Sequence, residues 1–243
     1  MKQYEAVIRV MEENGGFATL GFLYQKALSM PGVEWKTKTP IKSINRIVQV
    51  DRHFFKIKPG LWALKSHRDR LPVDVLPRGI SLTQRKASDH SFYQGMILEI
   101  GNLKHFRTAV PAQDKNRMYL NRRLGDIASV KESYKFSYDH IVKRASTIDA
   151  LWFNERKMPT SCFEVEHSTD ISNSLLKFVE LQDFHAKFYI VADIRRQEEF
   201  ASKTNYAAFS TVSGRTKFMS YDDLSDWHAK TSELIVLESK LAL

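Results

Sequence analysis

Three carboxylates stand on two short apolar segments in the second half of the chain. Asp149 lies within Thr147–Phe153, and Glu164 and Glu166 lie within Ser161–Glu166, after the turn-forming sequence NERKMPT. We expect the two segments to be neighbouring strands of a hairpin. Because side chains two positions apart on a strand point to the same face, Glu164 and Glu166 would share a face. Asp149 would reach the same corner.

Such a cluster predicts a site for a hard divalent cation. Carboxylates packed this closely repel one another unless a cation lies between them, and oxygen ligands suit Mg²⁺ or Mn²⁺. The alternative is an ordinary hairpin with a polar outer face. Asp149 argues against it, because this residue stands between Ile148 and the apolar run Ala150–Phe153. We therefore predict a Mg²⁺ site in which Mn²⁺ can substitute.

The order of these acids resembles the PD-(D/E)XK nuclease superfamily. Its site has an aspartate on one strand and, on the next, an acid, any residue and a lysine. Asp149 and Glu164 match the two acids, whereas Glu166 stands at the lysine position, as in the E-x-E variant of some type II restriction endonucleases. The unbroken string FEVEHST at Phe163–Thr169 is similar to a restriction-endonuclease subgroup.

The resemblance implies a Mg²⁺-dependent endonuclease that acts on double-stranded DNA. It would be a sequence-specific type II restriction enzyme that leaves 5′-phosphates and works as a homodimer, since two sites are needed to cut both strands. Asp149 and Glu164, with the carbonyl of Val165, would hold the metal, and Glu166 would orient or deprotonate the attacking water. Two alternatives stay open: a modification-dependent or structure-specific DNA nuclease, and a catalytically inactive DNA-binding regulator.

Glu99 is a candidate fourth acid of this site, since several members of the superfamily supply one from the preceding helix. It lies on an expected helical face with Phe92, Met96 and Leu103, and a carboxylate inside an apolar stripe is costly to bury unless it is compensated. The alternative is a glutamate at the edge of the stripe that reaches solvent.

The surrounding elements predict an α/β (α+β) fold, with a mixed central sheet flanked by helices as in that superfamily. After the hairpin we expect a helix that is capped by Ser168 or Thr169 and runs to about Phe184. A buried strand at Lys187–Ala192 and a helix at Arg195–Lys203 would follow.

The first 66 residues predict a smaller unit of three helices and a strand hairpin. The first helix ends at Gly15-Gly16, the second spans Thr19–Ser29, and the third begins at Thr39-Pro40, a hydroxyl cap before a proline suited to the first turn. This order resembles a winged helix-turn-helix, of the HARE-HTH variety that is fused to bacterial restriction endonucleases.

A winged helix of this kind implies that the third helix enters a DNA groove while the hairpin contacts the backbone. The expected DNA contacts of this unit are Lys42, Asn45, Arg46, Gln49, Lys56 and Lys58. Basic residues of the larger unit would clamp the DNA backbone, namely Lys104, Arg107, Lys115, Arg117, Arg122 and Arg123. The alternative is a winged helix that contacts proteins, with these charges simply hydrated.

Composition favours a cytosolic protein with a polyanionic partner. The 243 residues are 43% hydrophobic, enough for a folded core, and carry a formal net charge of +9. Residues 1–70 hold 13 Lys and Arg against 6 Asp and Glu, whereas residues 161–243 hold 9 against 13. The single cysteine, Cys162, excludes an internal disulfide and a thiolate zinc site. Apolar runs are too short for a membrane span, so we expect no membrane partner and a prokaryotic cytoplasmic location.

The segment 67–88 predicts a linker, because it contains Pro72, Pro77 and Gly79 and lacks sustained helical periodicity. The expected organisation is therefore a winged helix at 1–66, this linker, and a nuclease domain at 89–243.

Overall fold

A computed structural model describes residues 1–50, 52–77, 79 and 81–241. The chain divides into two compact units, the first formed by Met1–Gly79 with Ser225–Leu243 and the second by Ile80–Leu224. The division falls inside the segment that we expected to be a linker. The return of the C-terminal residues to the first unit differs from the expected organisation, in which 89–243 formed one domain.

The first unit contains three consecutive helices and a three-stranded antiparallel sheet. Its elements are α1 (Gln3–Glu13), β1 (Phe17–Thr19), α2 (Leu20–Ala27), α3 (Pro40–Gln49), β2 (Phe54–Lys58) and β3 (Leu61–Leu64), followed by a 3-10 segment at Lys65–Arg70. The strand order is β1-β3-β2. The helices and the hairpin follow the predicted order, whereas β1 is too short to give a pattern that predicts it.

Helix starts in this unit follow from local chemistry. Oγ1 of Thr19 accepts a hydrogen bond from the backbone N–H of Phe22 at 3.3 Å and caps α2. Pro40 occupies the first turn of α3, where its missing N–H costs nothing. The predicted hydroxyl cap is wrong here, because the side chain of Thr39 makes no capping hydrogen bond.

The core of the first unit draws on both ends of the chain. Ile44 and Val48 of α3 are fully buried and pack in a cluster that also contains Ala229 and Val236. Residues 1–66 are therefore only part of what this core needs.

The second unit is built on a five-stranded mixed sheet with helices packed against it, as predicted. Its strand order is β10-β9-β8-β7-β4. The elements that follow along the chain are α4 (Leu82–Leu103), β4 (Arg107–Ala109), β5 (Met118–Tyr119), β6 (Arg122–Arg123), α5 (Leu124–Ile127), α6 (Asp139–Ala145), β7 (Ala150–Phe153), β8 (Pro159–Glu166), α7 (Ile171–Val179), β9 (Lys187–Ala192), α8 (Gln197–Thr204), α9 (Ser210–Ser213), β10 (Thr216–Ser220) and α10 (Tyr221–Leu241). Most of α10, from Ser225 onward, belongs to the first unit.

Strand β8 is central and fully buried apart from a partly exposed Thr160. It runs antiparallel to β7 and parallel to β9, and both α4 and α7 pack against it. The ring of Phe163 lies 4.7 Å from that of Trp152 and 4.8 Å from that of Tyr189, measured between centroids. The position of β8 in the sheet is thus fixed on both sides by aromatic contacts.

Two predicted boundaries beside the carboxylates shift. Asp149 lies in a bend just before β7 and not within the strand. Helix α7 is capped by Asp170, whose carboxylate accepts from the backbone N–H of Ser172 at 2.9 Å, so the prediction of Ser168 or Thr169 as the cap is wrong. The helix also ends at residue 179, earlier than predicted.

Helix α4 begins inside the segment expected to be a linker. Ser81 and Gln84 form a reciprocal capping box, in which Ser81 Oγ accepts from the N–H of Gln84 at 3.2 Å and Gln84 Oε1 accepts from that of Ser81 at 3.0 Å.

Although α4 and α10 contain 22 and 21 residues, no helix within the described residues combines the length and apolar character of a membrane crossing.

The close approach of α4 to the sheet gives a test of the fold. A Cβ at Gly101 would lie 2.5 Å from Cγ2 of Thr108 and 2.6 Å from Nε1 of Trp152. We therefore expect Gly101→Ala to destabilise the protein by about 1–3 kcal/mol in urea titrations, because overpacking outweighs the helical preference for alanine.

Gly214→Ala is the matched control. A Cβ there meets nothing within 4 Å and the backbone φ is −65°, so the unfolding free energy should change by about 0.5 kcal/mol or less. Equal effects of the two substitutions would contradict the packing of α4.

Candidate active site

An open cavity of about 360 Å³ lies beside the end of β8 in the second unit. The predicted acids Asp149, Glu164 and Glu166, and the predicted backbone ligand Val165, all line it. The other lining residues are Lys86, Ala87, His90, Arg117, His167, Ser168, Thr169, Asn173, Ser174 and Lys177.

Asp149 joins the start of β7 to the end of β8. Its Oδ2 accepts a hydrogen bond from the backbone N–H of Val165 at 2.8 Å and lies 3.5 Å from Nε2 of His90 on α4. The residue is 9% exposed. One carboxylate oxygen therefore ties the two strands together, while the group still borders the cavity.

Glu164 is buried and bound by a lysine from α7. Lys177 Nζ donates to its two carboxylate oxygens at 2.9 and 2.8 Å, and Ser174 Oγ donates to Oε2 at 3.1 Å. Burial raises the pKa of Glu164 well above its usual value, and the charge of Asp149 adds to this, while Lys177 opposes it. Lys177 is thus the group that favours ionised Glu164.

Glu166 lies next to Glu164 on the same face of β8, since Ser174 contacts both. It accepts hydrogen bonds from the hydroxyls of Ser174 and Thr169, and Nη1 of Arg196 is 3.8 Å from its Oε2. Burial raises its pKa, against the opposing effect of these hydroxyl hydrogen bonds. A carboxylate with a raised pKa accepts a proton more readily than an ordinary glutamate.

Each predicted acid therefore has a basic side chain beside it, contributed by a different part of the unit. The pairs are Asp149 with His90, Glu164 with Lys177, and Glu166 with Arg196. These basic side chains already offset part of the repulsion between the carboxylates. A metal ion is therefore not the only group that can do so, contrary to the expectation from the sequence.

A second group of possible metal ligands overlaps the first. His90, Asp114 and Asp149 each offer one ligand atom, and these atoms lie within 4.8 Å of one another. Burial opposes protonation of His90, but the hydrogen bond and charge of Asp149 outweigh it, so the pKa of His90 is raised. Oxygen donors from acids and one imidazole fit a divalent cation at this cavity.

Glu99 has different neighbours from the other predicted acids. It accepts a hydrogen bond from the hydroxyl of Tyr119 at 2.9 Å, and Nη1 of Arg122 lies 3.9 Å from its Oε1. Glu99 is not among the described residues that line the cavity. Its partly exposed side chain fits the alternative of a glutamate at the edge of the apolar stripe.

The predicted DNA-binding residues of the second unit are placed unequally. Arg117 lines the cavity and its Nε donates to Asp114 at 2.8 Å. Lys115 is half-buried and its ammonium group donates to the carbonyl oxygen of Lys131. The remaining four are exposed: Lys104, Arg107, Arg122 and Arg123.

In the first unit, α3 presents most of its predicted contacts to solvent. Asn45 is the exception, because its Oδ1 accepts a hydrogen bond from the buried Tyr24 at 2.6 Å, which fixes its side chain. Lys58 is half-buried. The exposed residues are Lys42, Arg46, Gln49 and Lys56.

The basic partners of the acids were not predicted from the sequence. Ser174 and Lys177 are three positions apart inside the apolar pattern of α7, and this spacing places them on one helical face. That spacing was the available signal for Lys177. His90 and Gln94, four positions apart on α4, gave a similar signal, whereas Asp114 lies in a loop segment without periodicity.

The contacts of Cys162 and His167 are those of residues that support the fold. The thiol of Cys162 is fully buried, and burial raises its pKa, as expected for a packed thiol. Nδ1 of His167 lies 2.7 Å from the hydroxyl of Tyr221, which also donates to the carbonyl oxygen of Glu166 at 3.2 Å.

Comparison with known proteins points to one family. Residues 75–240 match the family described as the type II restriction enzyme NmeDI C-terminal domain. The type II restriction enzyme NmeDI of Neisseria meningitidis serogroup C is 24% identical over 177 residues, which cover 69% of this chain and 47% of that protein. The chain thus spans about half the length of this relative. No solved structure matches the chain.

The pair of Lys177 and Glu164 gives a test of the site. Lys177→Met leaves a buried carboxylate without its cation, so we expect a loss of about 3–5 kcal/mol in unfolding free energy at pH 8 in EDTA. Adding Glu164→Gln should recover part of that loss, because the amide needs no counter-charge.

Lys143→Met is the control, since Lys143 is an exposed lysine on the short helix α6. Its free energy of unfolding should stay near that of the unaltered protein. A double variant that is no more stable than Lys177→Met would show that the two side chains do not depend on each other.

Proposed function

Because the chain belongs to the family of the type II restriction enzyme NmeDI C-terminal domain, we propose that it is a Mg²⁺-dependent endonuclease that hydrolyses phosphodiester bonds of double-stranded DNA. We propose further that it is sequence-specific, leaves 5′-phosphates and acts as a homodimer. Mn²⁺ would substitute for Mg²⁺. The PD-(D/E)XK core and the winged helix implied by the sequence are parts of the same proposal.

One observation carries this proposal. Asp149, just before β7, borders the same open cavity as Glu164 and Glu166 of the adjacent strand β8, as a nuclease site of the predicted kind needs. Carboxylate oxygens are the donors that Mg²⁺ takes in proteins, so the residues fit the proposed ion.

Asp149 and Glu164, with the carbonyl oxygen of Val165, would hold the ion. The bound ion would supply charge stabilisation at the scissile phosphate and lower the pKa of a water molecule. Lys177 would keep Glu164 ionised, since its ammonium group contacts both carboxylate oxygens. The lysine that the E-x-E pattern lacks at position 166 thus has a counterpart on α7.

Glu166 would act on the attacking water. Its raised pKa suits a group that accepts a proton and then releases it to solvent. As the water oxygen bonds to phosphorus, the bond from phosphorus to the 3′ oxygen breaks and Glu166 takes the water proton. The 3′ oxygen takes a proton from solvent, which gives a 3′-hydroxyl and a 5′-phosphate.

Basic residues on both units would bind the DNA backbone. Arg117 is the predicted contact that borders the cavity, and its guanidinium group could reach the phosphate beside the acids. In the first unit, the exposed Lys42, Arg46 and Gln49 of α3 would face a DNA groove, with the hairpin lysines at the backbone.

Cleavage by acid variants tests the proposed chemistry. In Mg²⁺, we expect Asp149→Asn and Glu164→Gln to lower the cleavage rate by about 10²–10³-fold or more, because each replaces a negatively charged ligand of the metal with a neutral amide. Binding of the same DNA in Ca²⁺ should persist. Digestion of genomic DNA followed by sequencing of the ends measures rate, overhang and specificity together.

Glu155→Gln, at an exposed position of the β7–β8 turn, is the control and should cleave normally. Cleavage that persists in both acid variants would refute the assignment. Activity on methylated plasmid alone would favour a modification-dependent nuclease, and inactivity on every DNA would favour a regulator.

A separate measurement tests the first unit. Lys42→Ala and Arg46→Ala should each weaken DNA binding across sequences and reduce the slope of log affinity against log salt by about 1, because each removes a phosphate contact. Lys187→Ala, at an exposed position of β9, is the control. Unchanged slopes in both variants would favour a unit that contacts proteins.

A further inference from the structure

The geometry points to a second cation position beside the cavity, formed by His90 and Asp149 of its lining and the buried Asp114. We infer that this position takes a transition-metal ion such as Mn²⁺ in preference to Mg²⁺. It rests on the proposed function in one respect, because it shares Asp149 with the Mg²⁺ site proposed for cleavage. Its imidazole ligand comes from α4, outside the β7–β8 hairpin region that carries the predicted acids.

The spacing of the three side chains suits one ion. Nε2 of His90 lies 3.5 Å from Oδ2 of Asp149, and the ligand atoms of all three residues, including Asp114, lie within 4.8 Å of one another. Ligands at about 2.0–2.2 Å from a metal are about 3–4.4 Å apart from one another. Small side-chain rotations would therefore close the site around an ion.

Asp114 is held in place as metal ligands usually are. Its carboxylate is 3% exposed and accepts hydrogen bonds from Nε of Arg117 at 2.8 Å and from Nε2 of Gln94 at 3.2 Å. Nε2 of Gln94 also donates to the carbonyl oxygen of Asp149 at 2.6 Å. Outer partners of this kind orient a ligand and fix its charge.

Gln94 supplies an independent sign of a missing partner. The residue is 0% exposed, and its Oε1 accepts no hydrogen bond from the described residues. A buried acceptor without a donor destabilises the folded protein. Nε2 of the same amide contacts both Asp114 and Asp149, so the acceptor without a donor belongs to a side chain that already touches both acids of the proposed site.

The donor set decides which ion is preferred. A site made of carboxylates alone suits Mg²⁺, whereas an imidazole ligand favours transition-metal ions, which bind nitrogen more strongly than Mg²⁺ does. A site with His90 should therefore bind Mn²⁺ more tightly than Mg²⁺. Asp149 is the acid that this position shares with the proposed cleavage site.

Pulsed EPR of the full chain loaded with Mn²⁺ tests the proposal without any DNA. We expect a ¹⁴N coupling from a metal-bound imidazole in the unaltered protein. His90→Gln should remove this coupling and weaken Mn²⁺ binding at one site by about tenfold or more. Mg²⁺ should displace the nitrogen-coupled ion at concentrations at least about tenfold above those of Mn²⁺.

Two histidines serve as controls. His167→Gln alters another side chain of the same cavity, and His185→Gln alters an exposed one, so both variants should keep the coupling. Absence of the coupling in the unaltered protein would overturn the proposal even if His90→Gln failed to fold. Its survival in His90→Gln, or its loss in His167→Gln, would also overturn it.

Glu164→Gln separates this proposal from the proposed function. That variant should keep the nitrogen-coupled ion while it loses DNA cleavage. A coupled ion in a protein that cleaves no DNA would refute the nuclease and leave the ion site standing. Cleavage of DNA by a protein that shows no nitrogen coupling would refute the ion site and leave the nuclease standing.

Discussion

The electrostatic balance of three buried carboxylates is the constraint on which the second unit depends. Like charges at the end of β8 would repel one another, and burial would penalise each of them further. The structure offsets both effects by placing a basic side chain beside each acid. The bases come from α4, from α7 and from a 3-10 turn at Ile194–Arg196, just before α8. They are His90, Lys177 and Arg196. The charges in the cavity are therefore balanced only when these elements are packed on the sheet.

This balance links folding to function. The bond from the backbone of Val165 to Asp149 forms only when β7 and β8 are paired, and the contact of Lys177 with Glu164 forms only when α7 is docked. A cavity assembled from such distant parts of the chain is complete only in the folded unit. It can then offer a charged ligand or substrate a set of fixed groups, which need little rearrangement when it binds.

Much of this arrangement could be predicted from the sequence, because it depends on local periodicity. The strand parity of Glu164 and Glu166 and the strand β9 follow from patterns a few residues long, whereas the mixed sheet was implied by the family resemblance. The basic partners could not be placed in this way, since the contact of Lys177 with Glu164 depends on how α7 packs on β8. Asp114 lies in a loop without any period, and the cap of α7 depended on which of three neighbouring polar residues faced the helix. Tertiary packing decided each of these.

The first unit is discontinuous along the chain, and the second is inserted within it. The C-terminal helix contributes Ala229 and Val236 to the first core, and α2 lies so close to that helix that a Cβ on Gly21 would be 2.3 Å from Oγ of Ser232. A module excised after residue 66 would lack part of its own interior. Exchange of this unit between related proteins, in the laboratory or in evolution, must therefore transfer both terminal segments together, and a change at one end of the chain constrains the other.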